Sequence, residues 1–453
     1  MIFFKRKRLI YWLLKAYLKR SGKTILISFL IGLVAFFVLK YGVNYFIPLL
    51  PFVNEEKIGL EGAYTVDNLP LEIISKISMG LTALDKNYNV IPSVAKKWEI
   101  KDDGKTYIFY LNDNIFFSDN TKLTAEDIGY NFKDATTQIP NKSTIIFRLK
   151  SKYSPFLVTV SRPIFKNDFI GIGSYKVQSI DLNGSFVQSI TLRSIKEQNK
   201  VLTYQFYPTQ EALKTAFVLG EVNKIIRISD TSFKDTNLDK FPNVVIEKYF
   251  DDLQLITLFY NTSDKDLSDK RLREAMSYAI PDDFTHGKRN FGPFSPNSWV
   301  SQQSSITNSQ DLEHAKILLE QSDSFKNNKN LVFEIKTFPK YLEIAKKIQS
   351  EFAKAGIKTK ITVTDSLPIT FQLFLGDFKV PKDPDQYMLW HSLESDNISR
   401  YKNLRIDKLL EDGRQTADLN QRKKIYADFQ KYLLDDPPAS FIIFPHLYDV
   451  SRK

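Results

Sequence analysis

The sequence has 453 residues, of which 43% are hydrophobic and 13% aromatic. That excludes a disordered chain and, at roughly 100–200 residues per domain, implies two or three domains. The formal charge of +11 sits at one end: residues 1–53 hold nine basic residues and no acidic one, leaving 54 basic against 52 acidic residues beyond them. A nucleic-acid binder carries its basic footprint on its folded part, so no nucleic-acid partner is expected. The absence of cysteine excludes disulfides, zinc–thiolate sites, thiol catalysis and lipid attachment through an N-terminal cysteine.

The first predicted element is a membrane anchor. Thr24 to Leu39 carries no charge, and apolar character resumes after Lys40 through Tyr41, Val43, Tyr45 and Phe46. A hydrocarbon core of ~30 Å needs about 20 helical residues, so a helix from Thr24 to Phe46 spans it if Lys40 snorkels to the interface. Pro48 and Pro51 end it. Basic residues precede the run, and Glu55, Glu56 and Glu61 follow it. The positive-inside rule therefore puts 1–23 in the cytoplasm, a single-pass anchor at 24–50, and the rest outside, in an extracellular or periplasmic space. The rival reading is a cleaved signal peptide, but no small-x-small cleavage site follows the run, and the run is long for a signal.

Beyond the anchor, helical and strand patterns alternate, which indicates a mixed α/β protein. Trp98 to Leu111 reads as a hairpin turned at Asp103-Gly104. Thr124 caps an expected helix, with Asp127 completing a capping box. A second hairpin spans Tyr175 to Leu192, turned at Asn183-Gly184. Leu253 to Tyr260 is a strand buried on both faces. Leu272, Ala275, Met276, Ala279 and Ile280 share one helix face, and Pro281 stops that helix. Leu331 to Ile335, the helical spacing of Tyr341 to Ala355 with Gly356 as cap, and Ile357 to Val363 form a β-α-β unit. A last amphipathic helix carries Ile425, Tyr426, Phe429 and Leu433, before a strand at Ser440 to Phe444.

No catalytic motif emerges. The four histidines, His286, His314, His391 and His446, make no metalloprotease spacing, and there is no nucleophile elbow or phosphate loop. Asp102/Asp103 and Asp282/Asp283 sit at turn or helix-end signals, where solvated turns are the rule. Neither catalytic residues, a metal site nor a cofactor is expected.

The order of the motifs resembles a known family. Gly80-Leu81-Thr82-Ala83-Leu84-Asp85, Ile91-Pro92-Ser93-Val94-Ala95 with Trp98, and Asp102 to Tyr107 are similar to the opening of family 5 extracellular solute-binding proteins, the oligopeptide, dipeptide and nickel receptors of ABC importers. Phe116 to Asp119, Leu123 to Asp127, Gly173 to Val177, Arg271 to Ile280, Asp383-Pro384-Asp385-Gln386-Tyr387 and Arg405 to Leu410 continue the match, over about residues 58–445. The resemblance implies a bilobed periplasmic-binding-protein-like fold. It comprises a first lobe at 54–250 with a small subdomain at about 86–162, a second lobe at 251–434, and a C-terminal return to the first lobe at 435–453. There are departures: Gly220-Glu221-Val222-Asn223 ends in asparagine, and Pro281 follows Tyr-Ala-Ile where an aspartate is usual.

The resemblance also implies a function: a tethered, monomeric ectodomain that closes on a peptide or peptide-like solute and presents it to ABC permease subunits. The alternatives are a ligand-sensing or docking receptor and a binder of nickel or another small solute. Asp377 is the expected partner of a peptide's α-amino group, or else a loop aspartate. Tyr387, Trp390 and His391 either wall the ligand or form a helix packing face, and His391 is either a nickel ligand or an ordinary hydrogen-bonding histidine. Asn397 and Arg400 are expected at the cleft, Arg400 as a carboxylate partner or a plain surface arginine. Met79 and Gly80 are expected to face the ligand from the first lobe.

Overall fold

The computed structural model describes residues 2–37, 40, 54–301 and 309–453. The chain divides into two compact units, Met1–Glu55 with Glu197–Val201, and Glu56–Lys196 with Leu202–Lys453. In the first unit one helix runs Ile2–Phe37, so the boundary expected at Thr24 is not a break. Leu26, Ile27, Phe29, Leu30 and Ile31 are exposed on it. Among the described residues no helix is long and apolar enough to cross a membrane. The end of the expected anchor, 41–50, lies outside the described residues.

In the second unit the β-α-β pattern folds as its periodicity dictates. Val332–Thr337 and Lys358–Val363 pair in parallel, Phe333 opposite Thr359, and the crossover helix Leu342–Lys354 buries Ile344, Ala345, Ile348 and Phe352. Leu373–Lys379 runs parallel to Val332–Thr337 and antiparallel to Gln254–Tyr260. From Leu255 onward every residue of Gln254–Tyr260 is buried, as the unbroken apolar run requires. The helix Lys270–Tyr278 covers this sheet; Leu272, Ala275 and Met276 on it, and Ala279 and Ile280 just past its end, are fully buried.

The elements before Asp251 (termed the first lobe, and those after it the second) build on Asn54–Glu61, which lies parallel to Lys224–Ile228. Beside them stand Lys200–Tyr207 and the hairpin Tyr175–Asn183/Phe186–Ser194, turned at Gly184 with φ +63. Inserted in this lobe is a four-stranded antiparallel sheet of Ala95–Lys101, Thr106–Leu111, Thr144–Leu149 and Ala135–Asn141. The turn at Asp102, Asp103 and Gly104 holds three successive residues at positive φ.

The helix expected after Thr124 is a correction. The capping box forms, Thr124 with Asp127, but it closes a single 3-10 turn, Ala125–Asp127. Gly129 disfavours helix continuation. Tyr130 and Phe132, two apart, both pack on Phe147, a spacing that an extended chain satisfies and a helix does not.

One strand joins the lobes. Ala439–Arg452 pairs with Gln254–Tyr260 through its first half and with Lys224–Ile228 and Val244–Phe250 through its second. The chain also crosses between lobes at Asp251–Leu253.

Candidate functional site

A cavity of about 720 Å³ opens where the inserted sheet meets the second lobe. Phe132, Tyr153 and Phe156 line it, and Phe132 and Phe156 meet edge to face at 5.3 Å in the core of the inserted sheet. Five cations stand around these rings: Lys133, Lys150, Lys152 and Arg162 from the first lobe and Arg414 from the second-lobe helix Leu404–Gln415.

Their pairing is uneven. Lys150 pairs with Asp134 at 3.0 Å, Lys152 with Asp103, and Arg414 with Asp385 at 2.9 Å. Lys133 and Arg162 meet no carboxylate among the described residues. Arg162 lies over the rings of Phe132 and Tyr130, at 5.2 and 5.8 Å, which holds an exposed guanidinium in a fixed orientation at the rim. Arg414 sits 4.0 Å over Tyr387 and 5.6 Å over Tyr153. The cavity therefore combines flat apolar surface with uncompensated positive charge, a match for a solute bearing a carboxylate or another anion.

Two buried acids of the Asp-Pro-Asp segment fix the second-lobe side. Asp383 takes Arg422 at 2.6 and 3.1 Å, and its Oδ1 also accepts the Asp385 N–H. Burial alone would lower the Arg422 guanidinium, but the adjacent Asp383 carboxylate outweighs it and raises it. Burial pushes the Asp385 carboxyl up, although Arg414 opposes it. The lobes meet beside the cavity. The Ser154 N–H donates to the Arg414 carbonyl at 2.8 Å, and the Ser154 hydroxyl donates to the Thr416 carbonyl. Near the interlobe crossing, the Tyr88 phenol donates to Asp252, whose Oδ2 also accepts from Ser295 at 3.0 Å and Asn297 at 2.8 Å.

The residues singled out from sequence are distributed over several places. Asp377 lies on Leu373–Lys379 and outside this cavity. Tyr341 donates to its Oδ1 at 2.5 Å, Gln254 to its Oδ2 at 2.8 Å, and Lys340 is 3.2 Å away. Tyr387 adjoins the cavity through Arg414 and stacks on His391 at 4.1 Å. Trp390 is core: it is 1% exposed, among Phe259, Phe378 and Phe441, and its indole N–H donates to Gln386 at 2.8 Å.

His391 is buried beside a separate hollow. Its Nδ1 accepts the Leu393 N–H at 3.3 Å, and its Nε2 lies 3.5 Å from Glu411. The buried Asn397 spends its amide on the carbonyls of His391 and Tyr401. Arg400, at φ +53, donates to the Ile369 carbonyl at 2.8 Å in a further hollow shared with Asn397. Met79 and Gly80 back onto the segment that carries Arg162: the Met79 carbonyl accepts from Ile164 at 2.9 Å. A Cβ on Gly80 would come within 2.4 Å of the Ser161 carbonyl carbon, so Gly80 serves close backbone packing. Among the described residues no group of three or more His, Cys, Asp or Glu could hold a metal ion.

Sequence reasoning passed over Lys133, Arg162 and Arg414. The only local signal is the Tyr130/Phe132 alternation followed by Lys133, which marks an aromatic surface with a cation beside it and says nothing of what faces it.

Comparison with known proteins gives the same architecture. The chain is 25% identical over 460 residues to "Probable D,D-dipeptide-binding periplasmic protein DdpA" of Escherichia coli, covering 87% of each chain. It is 24% identical to the oligopeptide-binding protein AppA of Bacillus subtilis, over 84% of this chain and 83% of that one. The crystal structure of the ABC transporter substrate binding protein CtaP from Listeria monocytogenes superposes with a TM-score of 0.76 at 21% identity, covering 88% of this chain and 94% of that one, which establishes the shared fold. The family model for the middle part of bacterial extracellular solute-binding proteins, family 5, matches residues 89–399. The chain belongs to the family 5 bacterial extracellular solute-binding proteins.

Proposed function

We propose that this chain captures a peptide or peptide-like solute with a free anionic group and delivers it to the permease of an ABC importer. The observation that carries this reading is the cavity of about 720 Å³ between the inserted sheet and the second lobe, with its aromatic lining and the uncompensated Lys133 and Arg162. A peptide supplies both partners such a cavity favours: side chains for the rings and a terminal carboxylate for the cations. The relatives named as dipeptide- and oligopeptide-binding proteins support the solute class. Closure of the lobes on the solute removes water from the cations, which lie exposed at the rim in the free protein, and so strengthens their hold on the carboxylate.

The N-terminal segment acts as the tether that keeps the receptor at the outer face of the membrane. Its support is the one-sided charge of residues 1–53 and the exposed apolar side chains from Leu26 to Phe37.

The test is native mass spectrometry of the full chain, purified in detergent from its host. Peptide masses released on denaturation, with a thermal shift from the same peptides, are the expected result. An apoprotein that no peptide library stabilises, but that nickel or another small solute does, overturns the peptide reading. Extraction of the chain from membranes by alkaline carbonate would overturn the tether.

A further inference from the structure

A second cavity lies on the other side of the wall that bounds the proposed solute site. The segment Tyr153–Thr159 separates them: Tyr153, Phe156 and Thr159 face the larger cavity, while Ser154, Leu157 and Val158 line the smaller one. The smaller cavity measures about 220 Å³. Dry apolar cavities of about 150 Å³ already admit benzene. Both lobes build it. Trp98 and Tyr107 come from the inserted sheet; Trp299 and Leu419 come from the second lobe.

Its polar lining is almost fully engaged within the protein. The Tyr88 phenol donates to Asp252, the Tyr107 phenol to the Tyr153 carbonyl, and the Ser154 hydroxyl to the Thr416 carbonyl; Arg422 is held by Asp383. The two indoles are the exception. Neither Trp98 nor Trp299 has a hydrogen-bond acceptor among the described residues, and Trp299 is only 6% exposed. Neither indole nitrogen is among the fully buried unpartnered atoms, so each N–H stays accessible and can donate to a molecule in the cavity.

We propose that this cavity is a second ligand site, for a small aromatic molecule that carries one hydrogen-bond acceptor. The ring packs between Leu157, Val158 and the two indoles, and the acceptor takes an indole N–H. Because the walls come from both lobes, the molecule binds the closed arrangement better than an open one and shifts the chain toward closure, independently of what the larger cavity holds.

The experiment titrates the full chain with acetophenone, a ring of suitable size with a carbonyl acceptor, and with ethylbenzene, which lacks the acceptor. Binding is followed by calorimetry and ligand-observed NMR. Acetophenone is expected to bind at least fivefold more tightly than ethylbenzene, and Trp299→Phe to remove that difference. Val158→Phe and Leu419→Trp fill the cavity from opposite walls, and each is expected to weaken acetophenone at least tenfold while the protein melts as the unmodified chain does. Leu419 is 44% exposed, so its replacement does not endanger folding. The proposal is overturned if neither ligand binds at millimolar concentration, if both filling variants bind acetophenone normally, or if the two ligands bind equally. A peptide-free preparation that still binds acetophenone would support this site even where the peptide reading failed.

Discussion

Asp383 and Arg422 form a buried two-point ion pair, the carboxylate oxygens 2.6 and 3.1 Å from the guanidinium nitrogens, with both side chains under 10% exposed. The pair joins the Asp-Pro-Asp turn to the helix Leu419–Asp435, and Arg422 also donates to the Gly413 carbonyl. Removing one member strands the other in a dry site. Arg422→Ala is expected to lower stability by about 3–5 kcal/mol. The double change Asp383→Leu/Arg422→Met should cost less than Arg422→Ala alone, because no charge is left buried. Urea denaturation of the three variants checks this, and equal losses for single and double variants would count against it.

Arg162 and Lys133 act on the solute through charge. Since both are exposed, each contribution is modest. Arg162→Ala and Lys133→Ala are each expected to weaken an acidic or carboxylate-bearing peptide by roughly 1 kcal/mol, about fivefold, at low salt. The loss should shrink at 0.5 M salt, as screening predicts for exposed charges. Calorimetry at two ionic strengths gives the answer, and an Arg162→Ala variant with unchanged affinity at low salt would remove Arg162 from the site.

Asp377 is tied on both oxygens, by Tyr341 and Lys340 on one and Gln254 on the other. Burial and the Asp377 charge together raise the Tyr341 phenol, which stays a neutral donor at all working pH values. Asp377→Ala is expected to destabilise by about 1–3 kcal/mol, the cost of leaving buried donors without their acceptor, and to change peptide affinity by less than about threefold. A loss of binding at normal stability would instead make Asp377 the amine partner that the family resemblance implies.

His446 sits where the last strand passes from one lobe to the other, its backbone N–H bonded to the His286 carbonyl. Burial, then the charges of Lys248 and His286, lower its imidazole below the ordinary 6.5, while the Thr285 carbonyl opposes them. The folded state therefore binds fewer protons than the unfolded state as pH falls. The contribution of His446 is fully present above about 6.5 and is lost as pH drops through the lowered folded value. His446→Gln should flatten the fall in denaturation midpoint between pH 7 and pH 5; an unchanged slope would exclude His446 as its source.

The sequence by itself determined those parts of the molecule whose physics is local. The parallel pair Val332–Thr337 and Lys358–Val363, its amphipathic crossover helix, the buried Gln254–Tyr260 strand and the hairpins at Gly104 and Gly184 all follow from periodicity and turn chemistry. The ordered motifs from Gly80 to Leu410 also made the family legible. Where a local signal competed with packing, packing prevailed: the Thr124 cap nucleated one turn, and Tyr130 and Phe132 then took extended spacing to reach Phe147.

Only the tertiary structure decided the site. Arg162 and Arg414 are some 250 positions apart in the chain and line one cavity because the inserted sheet docks on the second lobe through Ser154. Likewise Trp390 and Tyr387 share a helix turn, yet one faces the core and the other carries Arg414. Pattern along a chain records which face of an element is apolar. Which other element covers that face is set by the closure of the whole fold, and a binding cavity exists only between elements so brought together.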